Sequence, residues 1–309
     1  QDSDAGDFVP MLRVLLSHGG TTMGRKRICW TQFLSLPALM LYGMFFVYPL
    51  LRGVGMSLTD WDGMGQANFV GLKNFIDFFS DERAMHDIKT TLLFAVGSAA
   101  LLNLVGLCYA LLMNRDFRGR SIVRVIIYLP AILSPLIMGD TWYFLLQPGR
   151  GFLYYAFQQL GWPDLIGNWV LTYPKSMLVL ILVNVWQFAG MTMIIYLAGL
   201  QSIPGELPEA ATIDGATPWQ RFTRVTLPML MPAIRINVVT NIIGSPSVFD
   251  IIMSLTEGGP GYSTESLSIY IMRMCYGSRT GYSTAVALIL FFIILVPVLI
   301  SMRLTRAKE

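Results

Sequence analysis

Six stretches of this chain are each about 20 or more mainly apolar residues long: 33–51, 90–113, 122–146, 176–200, 225–252 and 284–302. Crossing a hydrocarbon core of about 30 Å takes roughly 20 such residues in a helix. A segment surrounded by lipid must satisfy its own backbone hydrogen bonds, so helix is the state left open to it. The runs are continuous rather than alternating in polarity, which excludes a barrel of amphipathic strands. Only 13% of residues are charged and 54% are hydrophobic, against roughly 25% charged in an ordinary soluble domain. The expected fold class is therefore all-α, a polytopic membrane protein with about six transmembrane helices.

Charge placement orients the chain. Arg25, Lys26 and Arg27 precede the first run, Arg115, Arg118, Arg120 and Arg124 crowd the second connection, Arg221 and Arg224 lie in the fourth, and Arg303, Arg306 and Lys308 follow the last. Basic residues gather in cytoplasmic loops, so both termini are expected in the cytoplasm. The opposite connections hold most of the acids, among them Asp60, Asp62, Asp77, Asp81, Glu82 and Asp87. The expected organisation is a cytoplasmic tail over 1–30, a transmembrane domain over 31–305 and a short cytoplasmic tail over 306–309. Residues 1–24 read as a flexible tail, as a short surface helix around 11–16, or as foreign sequence ahead of a start at Met23. A net charge of +3 is too small to argue for a nucleic-acid partner; membrane lipid is the expected surrounding. Cys29, Cys108 and Cys275 are an odd number and read as thiols packed like small hydrophobes.

Between the fourth and fifth runs lies a polar, helix-compatible insert over 201–228. A helix is expected over 208–214: Pro208 suits a first turn, Glu209 is favoured there by the helix dipole, and Gly215 can end it at positive φ. Thr217-Pro218 supplies an N-cap and first-turn pair for a second short helix, 218 to about 225. A short turn would have sufficed to join two spans, so a folded element here reads either as a docking surface for another protein or as a helix hairpin lying on lipid headgroups. A further short amphipathic helix is expected around 72–79.

The insert carries a resemblance. Glu209-Ala210-Ala211, three residues, Gly215, nine residues, Val225, one residue and Leu227-Pro228 resembles, position for position, the EAA loop of permease subunits of ATP-binding-cassette (ABC) importers. Leu255-Thr256-Glu257-Gly258-Gly259-Pro260, Thr264-Glu265-Ser266-Leu267 and Gly281-Tyr282-Ser283-Thr284-Ala285 are similar to the maltose-type, binding-protein-dependent carbohydrate permeases. The resemblance implies a bacterial cytoplasmic membrane location, a second homologous permease subunit, a cytoplasmic ATPase dimer and an extracytoplasmic solute-binding protein. It implies that Glu209, Ala210, Ala211, Asp214, Gly215, Leu227 and Pro228 form the ATPase-coupling contact. No cofactor is expected on this chain itself: it contains no Gly-Lys pair for a phosphate-binding loop, so ATP and Mg are expected on the partner ATPase, and the chain is expected not to be an enzyme by itself.

A sugar, glycoside or polyol needs neutral donors and acceptors beside aromatic faces near mid-membrane. Candidates for that pathway are Ser134, Asn184, Trp186, Gln187, Phe188, Asn241 and Ser245; helix–helix hydrogen bonding, worth roughly 0.6 kcal/mol on average, is the alternative role for each. Asn184 and Ser245 match sugar-contacting positions in the maltose-type permease, whereas Phe188 and Met191 stand where it has a Gly and a Tyr, which points away from maltose itself. Asp250, Gly258, Gly259 and Pro260 are candidates for an outer loop and gate; Asp140, Arg235 and Asp250 also fit boundary pairing or snorkelling. The alternatives are an ABC permease for a non-carbohydrate solute and an ion-coupled secondary transporter, which would need paired acids at mid-span. A membrane enzyme would need clustered His, Asp or Glu at membrane depth, and the only histidines, His18 and His86, lie in polar segments.

Overall fold

The structure is a computed structural model that describes residues 35–162, 169, 172–246 and 248–304. The expected tails, the 11–16 helix, Cys29 and Ser247 lie outside the described residues. Among the described residues four helices are long and apolar enough to cross a membrane: α1 (Leu36–Ser57), α3 (Glu82–Met113), α7 (Lys175–Gln201) and α13 (Thr280–Leu304). Between α1 and α3 lies the amphipathic α2 (Lys73–Ser80), close to the expected 72–79. The rest of the chain forms α4 (Arg120–Ile132), α5 (Pro135–Leu146), α6 (Phe152–Gln159), α8 (Glu206–Ile213), α9 (Pro218–Met229), α10 (Met231–Gly244), α11 (Asp250–Leu255) and α12 (Leu267–Tyr276).

Two of the six expected spans are broken. The third is a pair, α4 and α5, that meet at 98°. Leu133 and Ser134 between them are extended, at ψ 148 and 131, and Pro135 opens the second helix. Proline disfavours the helical region for the residue before it, which is why the turn falls there. The fifth span, expected over 225–252, bends by 67° between α9 and α10 and stops at Gly244, two residues before Pro246. Asp250 consequently does not end that span: it opens the separate helix α11. The third span is also entered differently, with Gly119 at φ 86 ahead of α4.

Helix α1 stands as a distinct unit over most of its length. It contains a π-helical turn at Gly43–Val47, and Leu39, Phe46 and Leu51 are all more than 60% exposed, a surface suited to lipid or to another subunit rather than water. In the unit from Arg52 onward, α7 is the central post. Most of its apolar face is buried against α3, α4, α10 and α11, in a core that includes Phe94, Leu102, Met177, Leu180, Ile251 and Ile252. The close crossing of α4 over α7 depends on Gly190: a Cβ there would lie 2.8 Å from Tyr128 Cα and closer still to the Ile127 carbonyl oxygen. At one end of the bundle Asn74 of α2 donates to the carbonyls of Ser57 and Thr59, both at 2.8 Å, and Asp81 caps α3 by accepting from the backbone N–H groups of Arg83 and Ala84. Burial alone would raise the Asp81 carboxyl, but hydrogen bonds from Tyr270, Ala84 and Arg83 outweigh it and hold the group below its ordinary value.

Candidate functional site

The insert folds into an elbow of α8 and α9 at the opposite end of the bundle from α2. Helix α8 starts at Glu206, two residues earlier than the sequence implied, leaving Pro208 and Glu209 in its first turn. Its end explains the spacing of the motif. The N–H of Ala216 donates to the Ala211 carbonyl at 3.0 Å and that of Gly215 to Thr212 at 3.1 Å, with Gly215 at φ 79. This is the paired closure of a Schellman motif, and it needs an αL residue four positions after Ala211. Thr217 then begins α9 with a full capping box: it accepts from Gln220 N at 3.3 Å while its own N–H donates to Gln220 Oε1 at 2.9 Å. Arg221 donates to Thr212 Oγ1 at 3.0 Å, tying α9 to α8. The second helix passes through a π turn at Phe222–Thr226 before Leu227 and Pro228, so it runs further than the expected 225.

The elbow therefore brings Glu209, Ala210, Ala211, Asp214 and Gly215 onto one short helix and its cap, with Leu227 and Pro228 on the arm that returns to the bundle. Its tip is apolar and open: Ile213 is 87% and Trp219 71% exposed.

The elbow joins α7 to α10, and those two helices, with Leu102 of α3, line a cavity of about 220 Å³. Asn184, Phe188, Asn241 and Ser245 of the expected pathway line it, joined by Thr192 and Asn237. Asn237 is buried and donates to the Thr192 carbonyl at 3.2 Å. The Nδ2 group of Asn241 is buried without a protein partner, a donor left free for something that enters. No charged side chain lines this cavity.

The other three pathway candidates lie elsewhere. Trp186 stacks edge-on against Trp142, with centroids 5.3 Å apart, beside a separate apolar cavity of about 290 Å³. Gln187 is fully buried and donates through Nε2 to the Leu133 carbonyl at 3.0 Å, which serves the backbone freed at the α4–α5 break. Ser134 sits at that break and is exposed.

At the end of the bundle that carries α2, Gly258 (φ 80), Gly259 and Pro260 form a tight loop between α11 and α12. Thr264 donates to the Gly259 carbonyl at 2.6 Å and its hydroxyl is 2.9 Å from that of Thr256. The loop edges a cavity of about 560 Å³ with Asp140 and Tyr143 of α5 on its other side; Asp250 is not among the lining residues. Among the described residues no group of His, Cys, Asp and Glu could hold a metal ion.

The profile of binding-protein-dependent transport system inner membrane components matches residues 102–308. A probable starch degradation products transport system permease protein, AmyD, of Thermoanaerobacterium thermosulfurigenes is 34% identical over 92% of this chain and 96% of its own length. The trehalose/maltose transport system permease protein MalF of Thermococcus litoralis is 30% identical over 89% of this chain and 92% of its own. Among solved structures, a chain of a bacterial alginate ABC transporter in complex with an alginate pentasaccharide-bound periplasmic protein superposes with a TM-score of 0.78 at 27% identity, covering 90% of this chain and 94% of that one. With apolar spans, an elbow that closes on the EAA spacing and relatives aligned along nearly their full length, the chain belongs to the inner-membrane permease subunits of binding-protein-dependent ABC importers.

Proposed function

We propose that this permease subunit admits a sugar, glycoside or polyol through the cavity between α7 and α10, driven by ATP hydrolysis on separate subunits. One observation carries the reading: apart from Leu102 of α3, the cavity is lined by the two helices that the elbow joins. Displacement of the elbow is a displacement of the cavity walls. The exposed Ile213 and Trp219 at its tip suit the cleft of a cytoplasmic ATPase dimer, with ATP and Mg held by that partner. A ligand with no differential interaction between two states cannot shift them, so nucleotide acts here by changing what the elbow touches.

The cavity's chemistry supports a neutral polyhydroxylated solute. Asn184, Asn237, Asn241, Thr192 and Ser245 offer uncharged donors and acceptors, and Phe188 offers an aromatic face. In this reading both termini and the elbow face the cytoplasm, and the Gly258–Pro260 loop faces outward toward a solute-binding protein. A second, homologous permease completes the pathway and covers α1 or its neighbours. Residues 31–305 form the transmembrane domain, with 1–30 and 306–309 as cytoplasmic tails.

The test is substrate-stimulated ATPase in the assembled complex. Glu209→Lys places a cation at the positive end of α8, and Gly215→Pro removes the donor to the Thr212 carbonyl and is barred from φ 79. Both are expected to abolish stimulation while leaving membrane insertion intact. Unchanged stimulation in either variant refutes the assignment of the elbow.

A further inference from the structure

The loop that rims the outer cavity is fastened from an unexpected direction. Glu265 follows the loop and its side chain is fully buried, yet it meets two cations. Arg83, in the first turn of α3, donates through Nε at 2.7 Å and Nη2 at 2.9 Å, one bond to each carboxylate oxygen. Arg273 of α12 donates through Nη1 at 2.7 Å. The other amino group of Arg273 donates to the backbone carbonyl of Glu257 at 2.7 Å, and Glu257 is on the rim of the 560 Å³ cavity. The guanidinium of Arg83 also lies 3.7 Å above the ring of Tyr262. Two-pronged guanidinium–carboxylate pairs fix orientation as well as distance, and a buried carboxylate left without them would be uncompensated.

The backbone of the rim needs this support. Glu257 at φ 50 and Tyr262 at φ 67 occupy the left-handed region without being glycine. Such residues persist where the surroundings over-determine them. Each is held by one of the two arginines. Gly258 packs against Glu265 itself, where a Cβ would come within 3.3 Å of the Glu265 Cα.

We propose that Glu265 is a positioning residue for solute entry: through Arg273 it sets the Glu257 end of the rim, through Arg83 it ties that rim to the first turn of α3, and rim and helix move as one body. The inference rests on the permease reading above, because only a cycling transporter moves these helices. The rim facing Asp140 and Tyr143 is then opened or closed by α3, at the far end of the bundle from the elbow, and the loop has no independent gating motion of its own.

Hydrogen exchange in the assembled transporter, reconstituted in nanodiscs, tests this with ATP and orthovanadate as the probe. In the unsubstituted protein the amides of 257–265 and of 81–89 are expected to change protection together when nucleotide is trapped, alongside the elbow at 206–229. Glu265→Gln keeps the shape and removes the charge. It is expected to speed exchange over 257–265 at least tenfold and to uncouple that segment from nucleotide, while 81–89 and the elbow still respond and basal ATP hydrolysis stays within twofold. Glu265→Asp, which keeps the charge, is expected to recover part of the protection. Arg273→Lys serves as a second probe should Glu265→Gln fail to assemble: it is expected to loosen 257–259 and leave 81–89 unaffected. The proposal is overturned by unchanged exchange at 257–265 in Glu265→Gln, by a nucleotide response there that survives the substitution, or by a native rim that stays still while the elbow responds. An elbow that ignores trapped nucleotide in the unsubstituted protein refutes instead the permease reading.

Discussion

Gly190 and Gly97 both lie on faces where α7 is crossed closely, and the two predict opposite responses to one added methyl. At Gly190 the methyl would meet backbone: Tyr128 Cα at 2.8 Å, Ile127 C at 2.9 Å and the Ile127 carbonyl oxygen nearer still. Ordinary contact begins at 3.4 Å, so the shortfall against Tyr128 Cα is 3.4 − 2.8 = 0.6 Å, and no rotamer change can supply it. Helix α4 has to shift. Overpacking of this kind costs roughly 1–3 kcal/mol. The shift also pulls on the bond from Gln187, one turn away on α7, to the Leu133 carbonyl just past the end of α4, worth roughly 0.5–1.5 kcal/mol. Replacing a helical glycine by alanine returns about 1 kcal/mol in propensity. The balance for Gly190→Ala is a loss of about 0.5–3.5 kcal/mol.

At Gly97 the only close atom is Ile181 Cδ1 at 2.9 Å, the far end of a flexible side chain. That methyl can rotate away, so the propensity gain dominates and Gly97→Ala is expected to be neutral or stabilising by up to about 1 kcal/mol. The assay is unfolding of the purified complex by heat or by graded denaturing detergent, followed through Trp186 and Trp142 fluorescence. A Gly190→Ala protein as stable as the unsubstituted one, or Gly97→Ala as damaging as Gly190→Ala, refutes the argument that backbone rather than side-chain neighbours decide the cost.

Two further predictions concern chemistry at opposite parts of the molecule. Asn184→Ala combined with Ser245→Ala removes two polar groups from the cavity and is expected to raise the apparent transport Km or lower the rate severalfold without reducing complex yield; unchanged uptake kinetics would remove both residues from the pathway. Asp81 has a folded-state pKa below its ordinary value, so its contribution to stability is present above about pH 3.9 and is lost as pH falls through the lowered value. Asp81→Asn keeps the capping oxygen but not the charge, and is expected to flatten the acid limb of stability below about pH 4 in a melting series; a parallel acid limb in the variant would show that the charge contributes nothing.

The elements legible in the sequence are those whose cause is local. Length and apolarity alone place α7 and α13, and Pro208, Gly215 and Thr217-Pro218 each act within a turn of themselves, so the elbow came close to its observed bounds. The helices that sequence reasoning did not supply are α6, α11 and α12, and for α12 the reason is plain. Its first backbone N–H donates to Thr91 Oγ1 at 2.9 Å and Tyr270 donates to Asp81 at 2.6 Å, partners nearly two hundred positions away in the chain. The break at Leu133 is marked by Pro135, yet the group that donates to the Leu133 carbonyl there, Gln187, lies 54 positions further along the chain.

Part of the cavity was within reach of the sequence by a rule of spacing rather than of residue type. Successive helical residues turn by about 100°, so neighbours do not share a face, whereas residues three and four apart do. Starting from Asn184, steps of three and four reach Gln187, Phe188, Met191, Thr192 and Ile195, of which all but Gln187 line the cavity. The same rule turns Trp186 away, toward Trp142, whereas Gln187 is on the edge of the selected face and its side chain goes instead to the Leu133 carbonyl. On α10 and its C-cap it links Asn237, Asn241 and Ser245 in steps of four, and again all three line the cavity. Choosing polar residues by proximity in sequence groups Asn184 with Trp186 and Gln187; choosing them by helical phase recovers Thr192 and Asn237, the pair whose 3.2 Å bond joins α7 to α10 at the cavity wall. That bond connects the two helices on either side of the elbow, so substitutions at Asn237 should be read for coupling as well as for solute contact.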